Sequence, residues 1–164
     1  MQNPDHALER IPDTYLLAMA LRNVLRAAEM AKRNVRSPLA RAEIQKAIGT
    51  FLSYVILNPK HDHRALIRAR DVLEHFDEYL CGTGKLRRDE AKLNPDTSKE
   101  DLAQNYRIDF EPLAHRPRLR VGPLRPAAPL LTIDLVTTAP QAAQLLVATV
   151  RAAIVQDQQR STDG

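Results

Sequence analysis

SPLARAEIQKAIGTFLSYVILNP, residues 37–59, is the stretch from which the fold can be read. Ser37 followed by Pro38 is a helix start. The hydroxyl can accept an orphan N–H of the first turn, and proline, lacking a donor, fits the first helical position. Leu39, Ile44, Ala47, Ile48, Phe51, Leu52, Val55 and Ile56 then recur at the three- and four-residue spacing of one buried helical face. Asn58-Pro59 stops the pattern, because the residue before a proline is pushed out of the helical region.

Upstream, Thr14 to about Val35 repeats the signal with Leu17, Leu21, Val24, Leu25 and Ala28, and Asp13 is the candidate N-cap. The break between the two helices is very short, so they return on each other as an antiparallel hairpin. Downstream, a third helix is expected from Asp62, with Leu66, Ala69, Val72, Leu73, Phe76 and Leu80 on its core side and Gly82 as its left-handed terminator. Three amphipathic helices need a fourth to close a bundle. Thr138 would cap it, over about 139–158, with Ala142, Leu145, Leu146, Thr149, Val150 and Ile154 facing inward.

Between these helices the character of the chain changes. Residues 82–105 are charged and poor in apolar side chains, the signature of a mobile connection. Tyr106 to Phe110, Arg118 to Val121 and Leu130 to Val136 alternate apolar and polar residues as short strands do. Pro112, Pro117, Pro123, Pro126 and Pro129 cannot donate ladder hydrogen bonds and keep this region small. The expected fold is therefore mainly α: a single-domain four-helix up-down bundle of three N-terminal helices (13–81) and a C-terminal one (138–158). A two- or three-stranded β appendage (106–137) is inserted, with a polar arm (1–12) and a frayed tail (159–164) at the ends.

Composition fits that reading. Hydrophobic residues make up 44% of the 164 but aromatics only 4%, without tryptophan, so the core must be aliphatic. A chain of this length can bury such a core without disulfides or a structural metal. The single cysteine, Cys81, cannot pair within the chain. The polar opening MQNPDHALERIPD lacks the apolar stretch of a signal peptide. Apolar runs such as LLAMAL and LLVATV fall far short of the roughly 20 residues that span a bilayer. A cytoplasmic, soluble protein with no membrane association is expected. The net charge of +4 makes attraction to a polyanion plausible without requiring it.

The chemistry-bearing stretch is Ala69-Arg70-Asp71-Val72-Leu73-Glu74-His75-Phe76-Asp77-Glu78-Tyr79. Histidine is the side chain whose ordinary pKa lies nearest neutrality, suited to moving the proton of an RNA 2′-hydroxyl. A guanidinium can place two hydrogen bonds on phosphoryl oxygens as charge builds there. Asp71, one turn before His75, could hold the imidazole in one orientation. Arg70, four intervening residues and His75, with a polar residue directly after the arginine, resembles the active-site motif of the HEPN superfamily of helical ribonucleases. The resemblance implies a metal-independent RNA-cleaving homodimer of toxin or defence type, with His75 as general base or acid, Arg70 on the phosphate and Asp71 as orienter. It covers the third helix, and the neighbouring helices in architecture only. A Tyr two residues after the His is common in antitoxin-paired members; here Tyr79 is four residues after. Five residues of straight helix turn Arg70 about 140° from His75 and separate them by about 7.5 Å. Two protomers meeting across this helix would remove that difficulty.

The competing reading is a solvated charged face with i,i+4 pairs such as Arg70 with Glu74, on a non-catalytic interaction module. In that module the bundle dimerises. The segment from Arg107 to Arg125, with Arg116, Arg118, Arg120 and Arg125 as its contact residues, binds a protein partner of acidic character or nucleic acid through phosphate contacts. It lacks the interleaved aromatics of single-strand binders, and a basic strand that discourages edge pairing explains the same residues. No cofactor and no metal site is expected: His61-Asp62-His63 reads as a helix cap. Gly82-Thr83-Gly84-Lys85 is followed by Leu86 and preceded by a helix, so it fails as a phosphate loop.

Overall fold

The computed structural model describes residues 11–58, 63–75, 106–111, 117–123 and 130–162, together with residues 78, 88, 92, 95, 96. Its elements are helices α1 (Ile11–Asn34), α2 (Pro38–Val55) and α3 (Arg64–Glu74), strands β1 (Tyr106–Glu111), β2 (Arg118–Pro123) and β3 (Leu131–Asp134), and helix α4 (Leu135–Thr162). The mainly helical architecture with a small antiparallel sheet is the one the periodicity implied.

The α1–α2 turn is built as its residues dictate. The Ser37 hydroxyl oxygen accepts the Ala40 N–H at 3.3 Å, Pro38 opens the helix, and the Arg41 side chain donates to the Val35 carbonyl at 3.1 Å. Ala40, Ile44, Ile48, Phe51 and Val55 are buried. Leu39, expected in that stripe, is 79% exposed, because the buried row of the helix passes through its neighbour Ala40 instead. Helix α1 begins at Ile11, so Asp13 lies in its first turn, where it complements the helix dipole rather than capping. It packs against each of the other three helices through Ala18, Leu21, Leu25 and Ala28, while α2 packs most extensively against α4.

The sheet has the order β1-β2-β3, antiparallel throughout, which makes the arginine-rich β2 its central strand rather than a protective edge. Leu119, Val121, Leu131 and Ile133 enter the same core as the helices. Asn58, just past α2, fastens the two layers: its amide donates to the Leu130 carbonyl at 3.0 Å, and its carbonyl accepts the Thr132 N–H at 2.7 Å. The Leu57 N–H adds a bond to the Thr132 carbonyl at 2.8 Å.

Helix α4 departs most from expectation. It grows directly out of β3, runs from Leu135 to Thr162, and is capped by fully buried Asp134 instead of Thr138. Asp134 Oδ1 accepts the N–H groups of Val136 and Thr137 at 2.9 and 3.3 Å. The Thr138 hydroxyl donates to the Asp134 carbonyl, and the Thr137 hydroxyl donates to the Tyr54 carbonyl at the far end of α2. Its buried residues are Thr138, Leu145, Thr149 and Ala152. Leu146, Val150 and Ile154, expected inside, are 42%, 54% and 51% exposed. None of the helices in the described residues is long and apolar enough to cross a membrane.

Candidate functional site

Helix α3 is amphipathic: Ala65, Leu66, Ala69, Val72 and Leu73 are buried, which leaves Arg70, Asp71 and Glu74 at its half-exposed margin. Arg70 and Glu74 form the expected i,i+4 ion pair. The pair is also tied to α1, because the Tyr15 hydroxyl donates to Glu74 Oε1 at 3.4 Å. Arg70 Nε is buried without a hydrogen-bond partner. The guanidinium is thus held at the α1–α3 seam with one edge against Glu74.

The Arg70 guanidinium, with Tyr15 and His75 adding in the same direction, holds the Glu74 carboxyl below its ordinary value of 4.5 against the opposing effect of desolvation. A lowered folded-state pKa means stabilisation present above the unfolded value and lost as pH falls through the folded one. Glu74→Gln should therefore lower the urea midpoint at neutral pH by an amount that shrinks to nothing in acid below 4.5. A difference from wild type independent of pH would show that the ionised carboxylate contributes nothing.

His75 is the C-cap of α3, with φ −117° and ψ 35°, and not a mid-helix residue. Its N–H donates to the Asp71 carbonyl at 3.1 Å. The carboxylate facing its imidazole belongs to Glu78, whose Oε1 lies 3.3 Å from Nδ1; both side chains are half exposed. The expected orienter, Asp71, reaches His75 only through its backbone. Turning out of the helix moves the ring from the i,i+4 row of Asp71 toward the i,i+3 row of Glu78. Expectations for 76–77 and 79–82, including Tyr79 and the Gly82 terminator, and for the connection over 83–87, lie outside the described residues.

Arg118 and Arg120 occupy alternate positions of β2, on the face opposite core residues Leu119 and Val121. The register sets Glu111 and Asp134 on either side of Arg118, and Asp109 and Thr132 on either side of Arg120. That face alternates in sign across the sheet, a pattern of cross-strand pairing more than of a uniform basic footprint. Arg116 and Arg125 lie outside the described residues, as do His61 and Asp62. Among the described residues, no three His, Cys, Asp or Glu side chains stand close enough to hold a metal ion.

The surface that sequence reasoning missed is the outer face of α4. Val136, Leu146, Val147, Val150 and Ile154 are 42–55% exposed along one side of the helix. Ala139 and Ala143, also exposed, complete the strip. Its sequence signal is the absence of any charged residue from Leu135 to Val150. A surface helix with one apolar stripe would carry charge on its other side. Comparison with family models, curated proteins and solved structures finds no match.

Proposed function

We propose that this protein is a helical interaction module whose binding surface is the outer face of α4. The observation that carries the reading is the outer face of that helix. Its core side is Leu145 with Thr138, Thr149 and Ala152, and four large aliphatic side chains (Leu146, Val147, Val150, Ile154) are turned toward solvent. Isolated exposed aliphatics need no explanation, but a contiguous strip of them marks a contact surface. The test is a photo-crosslinking residue placed at Val147 in the full chain inside the expressing cell, with Ala27, an exposed position on α1, as control. Crosslinked product at Val147 and none at Ala27 is expected. Uncrosslinked chain at both positions would overturn the reading.

A second reading is favoured by His75, whose exposed imidazole has a carboxylate at Nδ1, with the Arg70 guanidinium five residues back along α3 and paired with Glu74. In it the chain is a HEPN-like RNA-cleaving homodimer. His75 exchanges the proton, Arg70 leaves Glu74 for the phosphate, and Glu78 takes the ring-holding part expected of Asp71. Single-stranded RNA in chelator-treated buffer should then be cut by wild type, and about 10²- to 10⁴-fold more slowly by His75→Ala. Equal cleavage by both, or cleavage by neither, overturns it.

A further inference from the structure

We infer that the occupant of the α4 outer face is a second copy of this chain, packed antiparallel about a two-fold axis that passes between Leu146 and Val147. The inference rests on the reading of that face as an interaction surface and adds what covers it and in which direction.

The first ground is complementarity within the strip itself. From Ala139 to Ile154 it presents small side chains first, Ala139 and Ala143, and large ones last, Val150 and Ile154, with Val136 beyond the alanines at the start of the helix. Antiparallel pairing about the stated axis sets Ala143 of one copy against Val150 of the other, and Ala139 against Ile154, with Leu146 and Val147 meeting at the centre. On either side of the central Leu146–Val147 contact, a small residue then meets a large one, so the helix axes can approach at about 8–10 Å. Parallel pairing would set alanine on alanine at one end and branched residue on branched residue at the other, leaving a gap beside a clash. A two-fold interface must be self-complementary, and this strip is so in one direction only.

Area supplies the second ground. At roughly 60–120 Å² per aliphatic side chain, half-exposed residues along this strip offer on the order of 300 Å² per copy. Two copies would cover on the order of 600 Å², close to the apolar share of a small specific interface of about 1,200 Å². Gln144 and Arg151 flank Val147 along the helix and line a groove of about 460 Å³ between α2 and α4, together with Glu43 and Lys46. They supply the polar rim such interfaces have, and no charge falls on the apolar centre.

The experiment uses the full chain in a Cys81→Ser background. Sedimentation should show a concentration-dependent monomer–dimer equilibrium, with Val150→Glu raising the dissociation constant more than tenfold while the circular-dichroism melting curve stays that of the parent. Direction is read by disulfide trapping. A mixture of Ala143→Cys and Val150→Cys chains should crosslink to each other, whereas each variant alone should crosslink weakly. Strong self-crosslinking of each variant would overturn the antiparallel arrangement, and a monomer at every concentration would overturn self-association. The Val147 photo-crosslink separates this from failure of the parent reading. A product of twice the chain mass supports the pair, a different mass retains the interaction surface but removes the second copy, and no product removes both.

Discussion

Replacing Gly122 by alanine is expected to cost about 3 kcal/mol of folding stability, enough to move a denaturation midpoint far outside error. Gly122, the penultimate residue of the central strand, has φ +123°, a conformation that side-chain-bearing residues rarely adopt. A Cβ there would stand 2.6 Å from both the backbone nitrogen and Cγ of Leu130. The side chain could move aside, but the backbone could not without dragging β3. Leu130 is the residue whose carbonyl Asn58 holds, and β3 leads directly into Asp134, the cap of α4. The strain therefore falls on the joint between sheet and helices. Urea unfolding of the variant is the check, and a loss below about 1 kcal/mol would mean that the sheet end relaxes freely.

That joint also separates what the sequence conveys from what it does not. Ser37-Pro38 starts α2 through local chemistry, a hydroxyl for an orphan N–H and a proline suited to the first position. The helix ends at Val55, however, short of Asn58-Pro59, where Ile56 turns extended and bridges Ile133. The apolar spacing of α1 and α3 is a local signal too, and it locates their buried faces. The start of α4 misleads because Thr138-Ala139-Pro140 has the composition of a helix start. The actual cap, Asp134, is specified by a long-range condition, the end of β3 pairing with β2. Its buried face misleads for a different reason. Leu145-Leu146 and Thr149-Val150 are adjacent pairs on a helix apolar nearly all round, so periodicity fits two faces and only packing against α2 selects Leu145 and Thr149. Around His75, the Arg70–Glu74 pair is legible because it lies within one helix. Its link to Tyr15 crosses 59 residues of chain, and Glu78 replaces Asp71 at the imidazole because the regular helix ends at Glu74.

Phe51→Ala is expected to destabilise the fold by about 3–5 kcal/mol, the other large single-site effect. Phe51 is fully buried on α2 and is the largest side chain wholly inside a core otherwise made of Leu, Ile, Val and Ala. Among the described residues the buried side chains that share its core are aliphatic. Helix α2 is also tied at both ends, by the Arg41 bond to the Val35 carbonyl past α1 and by the Asn58 bonds to Leu130 and Thr132. The site can collapse little, so the loss includes a cavity term besides the lost transfer of the ring out of water. Marginal stability of about 5–15 kcal/mol makes that a large fraction of the whole. Leu39→Ala is the matched control: the same helix, also apolar, but 79% exposed, with a change within about 0.5 kcal/mol expected. Thermal and urea unfolding of both variants decide the matter. Equal shifts would mean that α2 is held by its ends and not by Phe51, whereas a large loss confined to Phe51→Ala places the fold's centre where α2 meets its neighbours. The exposed strip of α4, Leu146, Val147, Val150 and Ile154, takes no part in that core.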